Sequence, residues 1–139
     1  MISLKDYITA SGKYPEREKN PDLTPEVIKN AEQLLNKVNN VLNALGIKNV
    51  VISSGFRPSD VNKGIKGAAV KSNHLIGKAI DISDPKGELD RALEINQELL
   101  EAYGLWQEHP SKTINWAHLD MGDRPIKDRP NCKKRQFLP

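Results

Sequence analysis

The sequence contains few of the features that cross-link, anchor or export a small protein. Cys132 is its single cysteine among 139 residues, which excludes an intrachain disulfide. No apolar run approaches the length that spans a bilayer, and no charged start followed by an apolar stretch opens the chain. We therefore expect a protein without a signal peptide and without a membrane span.

The chain also lacks a large excess of either charge, since 21 basic and 18 acidic residues leave a net charge of only +3. The basic excess is concentrated in residues 124–139, where Asp128 opposes Arg124, Lys127, Arg129, Lys133, Lys134 and Arg135. Aromatic residues of the kind that stack on bases do not interleave with these side chains. We interpret residues 124–139 as a solvated basic tail and expect no nucleic-acid partner. Contact with anionic wall polymers or nucleic acid is the alternative.

The length suits one domain that can bury its own core, so folding alone requires no metal. Helical periodicity runs over residues 24–45 and 88–103, each followed by a glycine. Strands are predicted near residues 50–54, 79–83, 105–108 and 114–121, with a long loop over residues 58–71. This order predicts a single α+β domain over residues 1–139, with a mostly antiparallel sheet and helices on one face. Residues 1–23 are expected to pack along it as an N-terminal extension, through Ile2, Leu4, Tyr7, Ile8 and Tyr14.

Two histidines and an aspartate form the most informative pattern. His74 and Asp81 lie seven positions apart on either side of a glycine, and His118 follows in a second predicted strand. Alternation puts Asp81 and His118 on the faces of their strands opposite to apolar neighbours. Two imidazoles and one carboxylate are ligands that zinc accepts in catalytic sites, with the fourth position open. The alternative is that both histidines are ordinary half-buried residues bonded to the backbone.

These motifs resemble those of the zinc D-alanyl-D-alanine carboxypeptidases, which include VanY-like enzymes and phage L-alanyl-D-glutamate endopeptidases. The segment 50–58 is similar to the family's strand and its Ser-Gly-Phe-Arg signature. A phage-type branch shares the Trp-x-Glu-x-Pro run at 106–110 and the Arg-x-Phe-x-Pro ending at 135–139. The resemblance implies a fold like that of hedgehog domains and D-Ala-D-Ala peptidases. It also implies one Zn²⁺ per chain, held by His74, Asp81 and His118.

The same resemblance implies roles for further residues and a substrate. Arg57 is expected to contact a carbonyl or carboxylate of the substrate and to assist catalysis, and Ser72 and Trp116 are expected to help hold the peptide. The implied substrate is a peptidoglycan stem peptide, cut as a D-Ala-D-Ala carboxypeptidase or an L-Ala-D-Glu endopeptidase would cut it. A phage or prophage endolysin of this kind is expected to stay in the cytoplasm until lysis, or to travel in a virion, before it reaches the cell wall.

One departure concerns the catalytic base. Well-studied members place a glutamate three residues before the second histidine, where this chain has Asn115. An amide cannot take a proton from water near neutral pH. A predicted hairpin closing near residues 110–112 would place Glu108 across from Ile114 or Asn115, so Glu108 is the predicted base. Two alternatives stay open: Glu108 is merely a solvated carboxylate, or the chain is a catalytically degenerate recognition or virion structural module of the same fold. Asp120 is the next carboxylate to consider.

Overall fold

The computed structural model describes residues 1–10, 17–66, 71–124 and 129–139. Its helices are α1 (Leu4–Ile8), α2 (Pro25–Ala44), α3 (Ser59–Lys63), α4 (Glu88–Ile95) and α5 (Gln97–Tyr103). Its strands are β1 (Ile52–Ser54), β2 (Ala79–Ser83), β3 (Trp106–Glu108), β4 (Trp116–Asp120) and β5 (Gln136–Phe137). Short 3-10 turns cover Arg17–Lys19, Asn73–Ile76 and Pro110–Lys112. Three residues used in the predictions above lie outside the described residues: Tyr14, Lys127 and Asp128.

One mixed sheet of five strands forms the centre of the fold, in the order β1-β2-β4-β3-β5. Every neighbouring pair is antiparallel except β3 and β5, which run parallel. The predicted α+β class with a mostly antiparallel sheet is therefore confirmed. The register of β2 and β4 pairs Asp81 with His118, and paired residues project their side chains from the same face of a sheet.

The other face of the sheet packs against α2, which confirms the predicted first helix. The Thr24 hydroxyl caps this helix by accepting a hydrogen bond from the Val27 amide at 3.3 Å. The apolar stripe of the helix is buried and consists of Val27, Ala31, Leu34, Leu35, Val38, Val41 and Leu42. It forms one core with the sheet residues Ile80, Ile82, Ala117 and Leu119. Because these sheet residues alternate with Asp81 and His118, burying them leaves the latter two on the polar face.

The N-terminal residues also contribute to this core, since Ile2, Tyr7 and Ile8 are buried in it. The Asn39 side chain of α2 accepts a hydrogen bond from the Ile2 amide and donates one to the Ile2 carbonyl, each at 3.0 Å. The Tyr7 hydroxyl donates to the carbonyl of Ala79 at 2.8 Å. These bonds tie the α1 segment to both α2 and β2.

Several element boundaries differ from the predictions. The predicted helix over residues 88–103 is divided at Asn96, whose backbone is not helical and whose side chain donates to the Ala92 carbonyl at 2.7 Å. Asparagine side chains compete for backbone hydrogen bonds in this way. Helix α3 occupies part of the predicted loop. The interpretation of residues 124–139 as a solvated tail was wrong for β5, because Gln136 and Phe137 pair with β3 and are buried; this strand is too short to show alternation in the sequence. Within the four described ranges, no helix is both long and apolar enough to cross a membrane.

Candidate metal centre

Three different elements bring His74, Asp81 and His118 together on the polar face of the sheet. Asp81 and His118 are paired on β2 and β4, and His74 lies in the 3-10 turn Asn73–Ile76 that precedes β2. Ser72 caps this turn by accepting a hydrogen bond from the His74 amide at 3.2 Å. One ligand atom from each of the three residues lies within 4.8 Å of the others.

A backbone carbonyl sets the orientation of the His74 ring. Its Nδ1 lies 2.8 Å from the Gly55 carbonyl oxygen, which can only accept a hydrogen bond, so Nδ1 carries the proton. Nε2 is therefore the nitrogen with a free lone pair, and it lies 3.4 Å from Asp81 Oδ2. A histidine held in this way is oriented as a metal ligand.

His118 lies between two carboxylates. Its Nδ1 is 2.7 Å from Asp81 Oδ1, and its Nε2 is 2.8 Å from Asp120 Oδ2. Burial by itself lowers the pKa of His118, but the hydrogen bonds to Asp120 and Asp81 outweigh burial and raise this pKa to about 10. Burial likewise raises the pKa of Asp81, but His74 and His118 outweigh it and hold that pKa well below its ordinary value. The site therefore strongly favours a cation next to the Asp81 carboxylate.

The donor set fits zinc. A tetrahedral ion with N and O ligands at about 2.1 Å spaces those ligands by about 3.4 Å. Asp81 Oδ2 lies 3.4 Å from His74 Nε2, which matches this spacing, and Asp81 Oδ1 lies at hydrogen-bonding distance, 2.7 Å, from His118 Nδ1. Two neutral nitrogens and one carboxylate also leave a fourth position for water or substrate.

Close packing against the N-terminal segment supports the loop that orients His74. The Phe56 amide donates to the Tyr7 carbonyl at 3.3 Å. A Cβ at Gly55 would lie 2.0 Å from the Tyr7 carbonyl oxygen, so only glycine fits in the Ser-Gly-Phe-Arg segment. The apolar pattern of residues 1–8 predicts packing, but nothing in it predicts this contact.

Arg57 lies next to the three candidate ligands. Its guanidinium is 3.8 Å from Asp81 Oδ2 and donates to Asn62 Oδ1 and Ser54 Oγ, each at 3.1 Å. Its backbone amide donates to the His74 carbonyl at 3.1 Å. Burial lowers the pKa of Arg57 although Asp81 opposes this change. Arg57, which was expected to contact the substrate, therefore places a positive charge beside the three candidate ligands.

The predicted register of Glu108 was wrong. The β3–β4 pairing joins Trp106 to Asp120 and Gln107 to Leu119, so one further step places Glu108 opposite His118 and not opposite Ile114 or Asn115. The register differs because the connection contains the turn Pro110–Lys112 and three more residues before β4. Glu108 is half-buried. Burial raises its pKa, His118 partly opposes this, and Asp81 raises it further.

Asn115 lies outside the cluster. It is exposed, has φ of 80°, and its carbonyl accepts the Asp84 amide at 2.8 Å. No contact described in the structure joins it to the candidate ligands. Trp116, predicted to bind substrate, is half-buried at the start of β4 and is paired with Ser83 on β2.

Arg124 and Phe137 also belong to this site, although no pattern in the sequence predicted them there. Arg124 forms an ion pair with Asp120, and its guanidinium carbon lies 3.7 Å from the centroid of the Phe137 ring. The Phe137 ring in turn meets the His118 ring edge-on at 5.7 Å between centroids. Residue spacing along the chain gives no signal for these contacts, because β5 reaches the site only through its parallel pairing with β3.

A family model described as Peptidase M15 matches residues 15–120. Comparisons with curated proteins and with solved structures give no significant match. The matched range contains all three candidate ligands, Arg57 and Glu108, and it covers well over half of the 139 residues. The chain therefore belongs to the peptidase M15 family of zinc-dependent metallopeptidases.

Proposed function

We propose that this chain is a zinc peptidase that hydrolyses peptidoglycan stem peptides. The observation that carries the proposal is the cluster of His74, Asp81 and His118, whose ligand atoms lie within 4.8 Å of one another. Glu108 ends the neighbouring strand β3, where continuing the β3–β4 register places it opposite His118. In this proposal His74, Asp81 and His118 hold one zinc ion. Bound zinc supplies Lewis-acid chemistry, which polarises a peptide carbonyl and makes water acidic enough to react near neutral pH.

Glu108 is the residue that we assign to proton transfer. Its carboxylate takes a proton from the attacking water and passes it to the nitrogen of the leaving amine. Because burial raises the pKa of Glu108, its conjugate acid holds the proton more firmly than an exposed glutamate would. A base needs this property if it is to return the proton as an acid.

Arg57 and the residues near it are assigned to the substrate. The guanidinium of Arg57 is held by Asn62 and Ser54 beside Asp81, and we propose that it stabilises negative charge on the substrate. Ser72 and Trp116 are proposed to line the path of the peptide. The D-Ala-D-Ala and L-Ala-D-Glu bonds are the two candidates for cleavage. A phage or prophage source, with action on the wall after lysis or from a virion, is part of the same proposal.

Digestion of purified peptidoglycan tests this function. The zinc-loaded protein should release free D-alanine, or fragments with a new D-glutamyl N-terminus, as identified by mass spectrometry. A chelator should stop the reaction, and added zinc should restore it. His74→Ala should abolish product, whereas His109→Ala, which removes the histidine that lies outside the cluster, should not. A zinc-loaded protein that yields no product would instead indicate a recognition or virion structural module.

A further inference from the structure

We infer that Asp120 and Arg124 form an outer anchor of the metal centre, which fixes His118 so that its Nδ1 faces the metal. The inference rests on the zinc site of the proposed function and extends it to residues that do not bind the ion. Asp120 is the last residue of the family match, and Arg124 lies beyond it.

Asp120 is suited to orient His118 because it is buried and its oxygens are already bonded. Oδ2 accepts a hydrogen bond from His118 Nε2 at 2.8 Å and forms the ion pair with Arg124. Oδ1 accepts the Gly122 amide at 3.3 Å. The Asp120 side chain is 0% exposed, so water cannot replace these partners. With Nε2–H donating to Asp120, Nδ1 is the nitrogen left to face Asp81 and the ion.

Arg124 has two roles in this anchor. It compensates the buried charge of Asp120, which would otherwise be costly to keep ionised. Its guanidinium carbon also lies over the Phe137 ring, and that ring meets the His118 ring edge-on. The four side chains therefore form a closed cycle in which each contacts the next: His118, Asp120, Arg124 and Phe137. Phe137 belongs to β5, so residues after the family match help to hold the His118 side chain in place.

These contacts assign Asp120 a positioning role and not that of a base. A general base must reach the attacking water, and the fully buried Asp120 carboxylate has no exposed surface with which to do so. Glu108, which lies across from the same histidine, is half-buried and accessible. Loss of an outer partner of this kind typically weakens metal binding about 10-fold to 100-fold.

Zinc affinity is the first measurement. Dissociation constants are obtained by competition with a fluorescent chelator for the full chain and for Asp120→Asn, which keeps the shape of the side chain and removes its charge. We expect Asp120→Asn to bind zinc about 10-fold to 100-fold more weakly, and Arg124→Gln to be weakened in the same direction. Asp123→Asn and Arg91→Gln, which change exposed residues of the same types, should bind as the unchanged chain does.

The second measurement needs no variant, so it does not depend on the variants folding. The ¹⁵N resonances of His118 in the zinc-loaded protein report which ring nitrogen carries hydrogen, and we expect Nε2. A protonated Nδ1 with Nε2 on the metal would overturn the inference, and so would an Asp120→Asn protein with unchanged zinc affinity. Either result would leave the zinc peptidase proposal standing if the unchanged chain still binds zinc and cleaves peptidoglycan. Failure of the unchanged chain to bind zinc would overturn both.

Discussion

Replacing Glu108 by glutamine removes the proposed proton acceptor while keeping the size and polarity of the side chain. Glu108 lies on β3 across from His118, and its carboxylate interacts electrostatically with both His118 and Asp81. It makes no ion pair among the described residues. The substitution should therefore affect proton transfer without disturbing the ligands.

The expected loss in kcat is about 100-fold to 10,000-fold, the usual contribution of a general base. It corresponds to about 2.7 to 5.4 kcal/mol of transition-state free energy, at about 1.36 kcal/mol per factor of ten. The free energy of unfolding, in contrast to kcat, should not fall in this variant. Because burial raises the pKa of Glu108 in the folded state, its ionised form at neutral pH opposes folding, and a neutral amide should maintain or slightly increase the free energy of unfolding.

The assay is hydrolysis of a soluble stem peptide, with zinc content and thermal unfolding measured on the same samples. Glu98→Gln, which changes an exposed glutamate on α5, is the matched control and should be fully active. In the unchanged chain, kcat/KM should fall as the pH drops through the raised pKa of Glu108, because only the ionised form accepts a proton. An E108Q protein that keeps its zinc and its full activity would refute the assignment of Glu108 as the base. Asp120 would not be the base in its place, because the Asp120 carboxylate is buried.

The remaining predictions concern the residues that support the site. Arg57→Ala should lower kcat/KM by at least about 10-fold with zinc content unchanged. An unchanged kcat/KM would contradict the proposal that Arg57 acts on the substrate. Gly55→Ala places a Cβ 2.0 Å from the Tyr7 carbonyl and should cost about 1–3 kcal/mol of stability in denaturant unfolding. It should also weaken zinc binding, because the Gly55 carbonyl orients His74; an unchanged unfolding midpoint would contradict the packing described. Tyr7→Phe removes the buried hydrogen bond to Ala79 and should cost about 1 kcal/mol while leaving zinc affinity unchanged, as the same unfolding and chelator titrations would show.

The parts of the site that follow local periodicity could be predicted from the sequence. Alternation along β2 and β4 placed Asp81 and His118 on faces opposite to apolar residues, and the core confirms those apolar positions. The stripe of α2 was predicted in the same way. These signals are readable because a side chain's direction within a regular element depends only on its position.

The parts that depend on long-range geometry could not be predicted in this way. The register of Glu108 depends on how residues 110–115 fold, and the left-handed backbone of Asn115 has no signature among its neighbours. The contact of Phe137 with His118 needs the parallel pairing of β5, two residues long. Such pairings are determined by packing across the whole domain, which a single sequence does not display.

Diffraction from crystals of the zinc-loaded protein at the zinc absorption edge tests the metal centre most directly. We predict one anomalous peak per chain, bonded to His74 Nε2, an Asp81 oxygen and His118 Nδ1 at about 2.0–2.2 Å, with the fourth position taken by a non-protein ligand. A peak located elsewhere, or no peak at these three residues in zinc-saturated crystals, would contradict the assignment of this cluster as the metal centre.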